Sequence, residues 1–90
     1  MSEEIHISSL VLHVIPPHVE GVLEVLSGLE GLEVAVTESK LGKIVVVLER
    51  SNTREINDCI ENLKIIDGVL SVAMVYHHVE DTQLLKEEIA

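Results

Sequence analysis

The sequence has few of the residues on which many small domains depend for stability or catalysis. Its 90 residues contain no Trp, no Phe, one Tyr and one Cys, Cys59. A single cysteine cannot form a disulfide within the chain, which argues against a secreted disulfide framework. No apolar run approaches the ~20 residues that span a bilayer, so we expect no direct membrane insertion. The start, Met1 to Glu4, is acidic where a signal peptide would be basic, and we therefore expect a small soluble cytoplasmic protein.

Basic residues are also scarce. Six Lys and Arg stand against 16 Asp and Glu, a formal net charge of −10, and residues 1–39 hold seven acids with no Lys or Arg. This charge would repel a phosphate backbone, so nucleic acid is not an expected partner. The acidity either serves solubility or forms a surface that attracts a basic partner.

What the chain does have is apolar residues, 47% of the total, in patterns that alternate between strand and helix. Strands are predicted at 5–14, 32–37, 43–49 and 69–77. Apolar stripes at helical spacing predict one helix from His18 and another after an Asn52 N-cap. The order βαββαβ predicts an α+β, ferredoxin-like sandwich, a four-stranded antiparallel sheet with two helices on one face. We expect one domain at 1–78 and an acidic C-terminal tail at 79–90 that forms at most a frayed helix.

The first strand changes parity, since Ile5 and Ile7 are odd-numbered whereas Leu10, Leu12 and Val14 are even-numbered. A bulge near Ser8 and Ser9 is therefore predicted. Parity then divides the strands into two faces. The face under the helices would hold Leu10, Leu12, Val14, Val34, Val36, Ile44, Val46, Leu48, Leu70, Val72, Met74 and Tyr76. The opposite face would hold Ser9, Val11, His13, Glu33, Ala35, Thr37, Val45, Val47, Glu49, Ser71, Ala73, Val75 and His77.

This second face has a small, apolar, aromatic-free centre and acidic edges. An exposed apolar patch on a soluble domain usually marks an interaction site. The simplest alternative to a ligand is a homodimer in which two copies of the chain cover each other's face. A base-stacking RNA platform is not expected, because it needs aromatic residues on the sheet.

No arrangement of residues predicts catalysis, a metal or a cofactor. Adjacent His77 and His78 point to opposite faces of a strand, so they cannot bind one metal ion together. His13 and His77 could share a face, but no third metal ligand is evident beside them. Cys59 lies on the apolar stripe of a helix with no activating base, as a buried structural thiol would. Phosphate-binding glycine motifs are absent, so we expect a protein that is not an enzyme.

The sequence resembles the NapD family over about residues 8–78. The most specific part is the ending Gly68-Val69-Leu70-Ser71-Val72-Ala73-Met74-Val75-Tyr76-His77. The other matching segments are 9–12, 31–36 and 42–49. An alternative is a stand-alone regulatory domain of the ACT or Lrp kind, which shares the element order and binds small molecules or mediates dimerisation.

The resemblance implies a cytoplasmic chaperone of periplasmic nitrate reductase maturation. Such proteins bind the twin-arginine signal peptide of the catalytic subunit, NapA, and delay export until its molybdenum cofactor and iron–sulfur cluster are loaded. Glu33, Glu49 and Glu38 are the candidates to face the arginines. The candidate peptide-binding residues are Ser9, Val11, His13, Glu33, Ala35, Val45, Val47, Glu49, Ser71, Ala73 and Val75.

Overall fold

A computed structural model describes residues 4–81 of the chain. Its elements are β1 (Glu4–Val14), α1 (Val19–Ser27), β2 (Leu32–Glu38), β3 (Lys43–Arg50), α2 (Thr53–Lys64) and β4 (Val69–Asp81). The four strands form one antiparallel sheet in the order β2-β3-β1-β4. The predicted α+β, ferredoxin-like architecture is confirmed.

The two helices pack on one face of the sheet and form the hydrophobic core with it. The predicted stripes of α1 and α2 are buried there, and they meet the even-numbered residues of β1 and β3. The buried apolar side chains are Leu10, Leu12, Val14, Val19, Val22, Leu26, Ile44, Val46, Leu48, Ile56, Cys59 and Leu63. The opposite face carries no helix in residues 4–81, and we call it the open face.

Local sequence sets where each helix begins. Pro16–His18 form a single 3₁₀ turn that leads into α1, consistent with the fixed backbone of proline at a helix start. At α2 the Asn52 Oδ1 accepts a hydrogen bond of 2.9 Å from the Glu55 backbone N–H. The Glu55 carboxylate in turn accepts one of 3.2 Å from the Ser51 N–H. The predicted Asn52 cap is therefore present, although its reciprocal bond reaches back one residue farther than in the usual capping box.

The bulge lies in a different strand from the one predicted. The pairing of β1 with β4 does slip between Ser9 and Leu10, but the extra residue is Val75 of β4. β1 itself alternates without a break, because its even-numbered residues from His6 to Val14 are all buried. Ile5 and Ile7 are therefore on the open face.

Two further slips also belong to the outer strands. Leu70 is the extra residue where β4 turns away from the end of β1, and Ala35 is the extra residue of β2 opposite β3. The central pair, β1 with β3, runs in unbroken register from His6 opposite Arg50 to His13 opposite Lys43.

β4 is longer than the sequence pattern indicates. We expected it to end at His77 and the tail to begin near there, yet it continues to Asp81 alongside β1. Residues 78–81 are therefore strand, and the rest of the predicted tail, 82–90, lies outside the described residues. No helix within residues 4–81 has the length and hydropathy to cross a membrane.

Candidate functional site

The open face consists of one pair at its end, Ile5 and Glu80, followed by four rows of side chains that run across the sheet. Residues directly opposite each other in antiparallel strands share a face, so the strand register assigns each row. In order from one end of the sheet to the other, the rows are Glu49, Ile7 and His78; Glu33, Val47, Ser9 and Tyr76; Val36, Val45, Val11 and Ala73; and Glu38, Lys43, His13 and Ser71.

Most of the predicted face residues are thereby brought together. The structure places nine of the predicted site residues on the open face, namely Ser9, Val11, His13, Glu33, Val45, Val47, Glu49, Ser71 and Ala73. Ala35 and Val75, which were also predicted there, are the unpaired bulge residues, and both are exposed.

Two residues that were predicted on the open face lie on the other side because of these bulges. Each extra residue reverses the parity of the strand beyond it. Thr37 pairs with Ile44 and His77 with Ser8, which puts both on the side of the helices. His77 therefore does not share the open face with His13.

The same bulges bring unexpected residues to the open face or out of the core. Val36 and Tyr76, predicted to lie under the helices, are on the open face and are 47% and 56% exposed. Leu70, also predicted in the core, is 67% exposed at its bulge. Met74 and Val34 do lie on the helix side but are 42% and 36% exposed.

Tyr76 changes the character of the face, which was predicted to lack aromatic residues. Its ring stacks on that of His78, with ring centres 6.3 Å apart and planes 13° from parallel. The pair forms a flat polar-aromatic border along β4. A tyrosine at this place could be found from sequence only by locating the bulge at Val75.

The acidic side chains of the open face are concentrated at one end, which we call the acidic end. Glu33 and Glu49 lie there on the adjacent strands β2 and β3 and line a shallow depression of about 360 Å³ with Gly31, Leu32 and Val47. Glu80, opposite Ile5, adds a carboxylate on the other side, 3.6 Å from His78 Nε2. No Lys or Arg of residues 4–81 falls in the two rows at this end.

Arg50 is close in sequence but does not belong to the open face. It pairs with the buried His6, and its Nη1 donates to the backbone carbonyls of Glu30 and Glu49 at 2.6 and 2.8 Å. Its Nη2 lies 3.9 Å from Cys59 Sγ on α2. The guanidinium thus closes the end of the core.

A larger depression continues around the end of the sheet. It has a volume of about 490 Å³, and its walls include four glutamates. The lining residues are Glu4, Ile5, Glu30, Gly31, Glu49, Arg50, Ser51 and Glu55. Glu49 borders both depressions, so the negative surface runs from the open face round to the start of α2.

At the other end of the open face the charges are mixed. Lys43 lies between Glu38 on β2 and His13 on β1. Glu38, which was grouped with Glu33 and Glu49 as a candidate for arginine contacts, is therefore separated from them along β2. The face changes from negative to near neutral along the strands.

A polar network occupies the helix side of β1 and β4. Ser8 Oγ, fully buried, lies 2.7 Å from His77 Nδ1, and His77 Nε2 lies 3.3 Å from His6 Nδ1. His6 Nε2 continues the chain to the Glu4 carboxylate at 3.3 Å. The network ties the ends of the two longest strands together.

Residues 4–81 offer little support for a metal site or a catalytic nucleophile. No group of three or more His, Cys, Asp or Glu side chains there has the geometry to hold a metal ion. Burial raises the pKa of the Cys59 thiol, and the Arg50 charge and hydrogen bond offset this only in part. A thiol with a raised pKa is a poor nucleophile at neutral pH.

Comparison with known proteins gives one consistent result. The family model for the NapD protein matches residues 5–81. The Chaperone NapD of Haemophilus influenzae is 30% identical over 76 residues, which cover 84% of this chain and 82% of that protein. The Chaperone NapD of Escherichia coli K12 is 31% identical over 75 residues, 83% of this chain and 86% of that protein.

A solved structure agrees with these relatives. The solution structure of the E. coli Tat proofreading chaperone protein NapD superposes with a TM-score of 0.78 at 29% sequence identity. The superposition covers 87% of this chain and 82% of that one.

Proposed function

The chain belongs to the NapD family, and from this membership we propose that it is a cytoplasmic chaperone for the maturation of periplasmic nitrate reductase. Its client is the catalytic subunit, NapA, and it binds that subunit's twin-arginine signal peptide. Binding delays export until the cofactors of the client are in place. The observation that carries this proposal is the family match across residues 5–81.

The open face supports the proposal because it suits a peptide in which a basic segment is followed by an apolar one. Its centre consists of small apolar side chains, chiefly Val11, Val45, Val47 and Ala73. A peptide that becomes helical could lay an apolar stripe on them, as helices do in other apolar grooves. The small side chains allow its backbone to approach the sheet closely.

The glutamates of the face contribute more to recognition than to affinity. Each exposed ion pair with an arginine stabilises a complex by about 0–1 kcal/mol, since solvent screens it. Such charges mainly raise the association rate and exclude wrong partners. Moderate affinity suits a chaperone, which must release its client.

Isothermal titration with a synthetic NapA signal peptide tests the proposal. We expect saturable one-to-one binding that weakens with a peptide carrying two lysines, because lysine lacks the planar, forked donors of arginine. Val11→Asp and Val47→Asp should each abolish binding by placing a charge in the apolar centre. Val25→Asp is the control, since it is the same substitution at an exposed valine of α1, away from the open face.

Other occupants of the face give different results. If titration with free amino acids releases heat of binding and titration with the peptide does not, the protein is a small-molecule regulatory domain and the proposal is overturned. A dimer in sedimentation that Val11→Asp dissociates, again without peptide binding, would identify a second copy of the chain as the occupant.

A further inference from the structure

The charges of the open face are unequal along the strands, and this asymmetry gives a bound peptide a direction. Glu33 and Glu49 mark the acidic end, whereas at the other end Lys43 lies between Glu38 and His13 and makes the charge there near neutral. A symmetric apolar face would accept a helix in either direction. Unequal ends favour one direction over its reverse.

We propose that the signal peptide binds with its arginine pair at Glu33 and Glu49 and its apolar segment running toward Lys43 and His13, parallel to β1 and β2. This inference rests on the proposed function and adds to it the polarity of the complex and the residues that receive the arginines.

The shape of the acidic end supports this placement. Glu33 and Glu49 border the depression of about 360 Å³, which Gly31, Leu32 and Val47 also line. A Cβ at Gly31 would lie 2.5 Å from Arg50 Nη1 and 2.8 Å from the Glu49 carbonyl oxygen, so the backbone there lies close against the end of β3. A guanidinium between two carboxylates finds both space and opposite charge there.

The backbone of a helical peptide favours the same direction. A helix carries partial positive charge at its N-terminus and partial negative charge at its C-terminus. In the proposed direction the N-terminus lies near Glu33 and Glu49, and the C-terminus lies near Lys43. The side-chain charges and the helix dipole therefore agree.

The length of the face fits the segment it would hold. Glu49 and Lys43 are six residues apart on β3, which corresponds to about 20 Å at the rise of an antiparallel strand. A helix covers about 20 Å in roughly 13 residues. An arginine pair and the apolar turns that follow it can thus contact both ends of the face at once.

Spin-labelled peptides distinguish the two directions. A nitroxide is attached to the N-terminus of a synthetic twin-arginine signal peptide, and to the C-terminal end of its apolar segment in a second peptide. The first should broaden the amide signals of Gly31, Glu33 and Glu49 in the ¹⁵N-labelled protein. The second should broaden those of His13, Lys43 and Ser71. The reversed pattern, or equal broadening at both ends, overturns the proposed direction.

A double-mutant cycle identifies the arginine contacts. Glu33→Gln and Glu49→Gln should each weaken binding about two- to fivefold with the arginine peptide and leave a peptide with two glutamines unaffected. Glu38→Gln is the matched control on the same face and should show no such coupling. Coupling at Glu38 in place of Glu33 and Glu49 would contradict the proposal. Absence of any peptide binding would instead refute the proposed function.

Discussion

At the scale of single residues, two buried side chains with polar or sulfur atoms contribute to the core. Ser8 is fully buried on β1 and reaches His77 across the strand pair. Cys59 is buried on α2 beside the guanidinium of Arg50. Both side chains lie on the helix side, so they stabilise the fold without taking part in the open face.

Removal of the Ser8 hydroxyl should lower stability. Ser8→Ala deletes the partner of His77 Nδ1 in a buried position, and we expect the free energy of unfolding to fall by about 1 kcal/mol. Urea denaturation followed by circular dichroism measures the change. Ser71→Ala, at an exposed position of β4, is the control and should stay within about 0.5 kcal/mol of the parent. Equal effects of the two variants would show that the Ser8 contact contributes nothing.

Cys59 should make the stability depend on pH in the alkaline range. Because burial raises its pKa in the folded state, the unfolded chain loses the thiol proton first, near pH ~8.5. Between that pH and the higher folded pKa the unfolded state binds fewer protons, so stability falls as pH rises. Below this window the contribution is constant. The free energy of unfolding, measured with urea, should therefore fall more steeply above neutral pH in the parent than in Cys59→Ala. An equal fall in the two proteins would show that the Cys59 pKa is not raised on folding.

At the scale of the elements, the turn before β2 is the tightest constraint at the acidic end. Gly31 has a positive φ of 73°, and a Cβ there would meet both the Glu49 carbonyl and the Arg50 guanidinium. Its carbonyl accepts a hydrogen bond of 2.8 Å from the Glu49 N–H. The turn thus joins the start of β2 to the end of β3.

Two glycine substitutions should have opposite effects. Gly31→Ala should destabilise the protein by at least about 1 kcal/mol, because alanine is strained at positive φ and lacks space. Gly21→Ala, in α1 with open space around it, should stabilise the protein by about 0.5–1 kcal/mol through helix propensity. Thermal unfolding of both variants against the parent checks the pair. A stabilising Gly31→Ala would refute the turn geometry.

Sequence periodicity predicted the element order, both helices, and the faces of β3 and of β1 from Ser9 onward, because these segments keep an unbroken period, but it wrongly predicted a bulge in β1. It failed wherever an outer strand holds an extra residue. Nothing in the local sequence marks a bulge at Ala35 or Val75, since neither is a glycine and each stands in an apolar run. The bulges become evident only from the register against the neighbouring strand. The reversed faces of Val36, Thr37, Tyr76 and His77 all follow from this.

At the scale of the whole molecule, the net charge of −10 acts on any approaching basic peptide before contact. The carboxylates lie on several surfaces, but those of the acidic end adjoin the apolar centre. Long-range attraction would thus be followed by apolar contact on the same face.

Association with a signal peptide should accordingly slow as salt increases. Above physiological ionic strength the Debye length falls well below 10 Å, so attraction between separated charges is screened. We expect the association rate constant to drop at least severalfold between low and high salt in stopped-flow measurements, with a smaller change in the dissociation rate. A peptide with glutamines in place of its arginines is the control and should show a flatter dependence. Equal salt dependence of both peptides would exclude electrostatic steering.

The placement of the bulges has a consequence for self-association. All three slips lie in β2 and β4, the two strands that border the sheet, whereas the central pair is regular. In an edge strand with a bulge, the free N–H and C=O groups are not evenly spaced. A strand from another molecule therefore pairs poorly with it. We therefore expect the chain, despite its many apolar strand residues, to resist edge-to-edge polymerisation into fibrils.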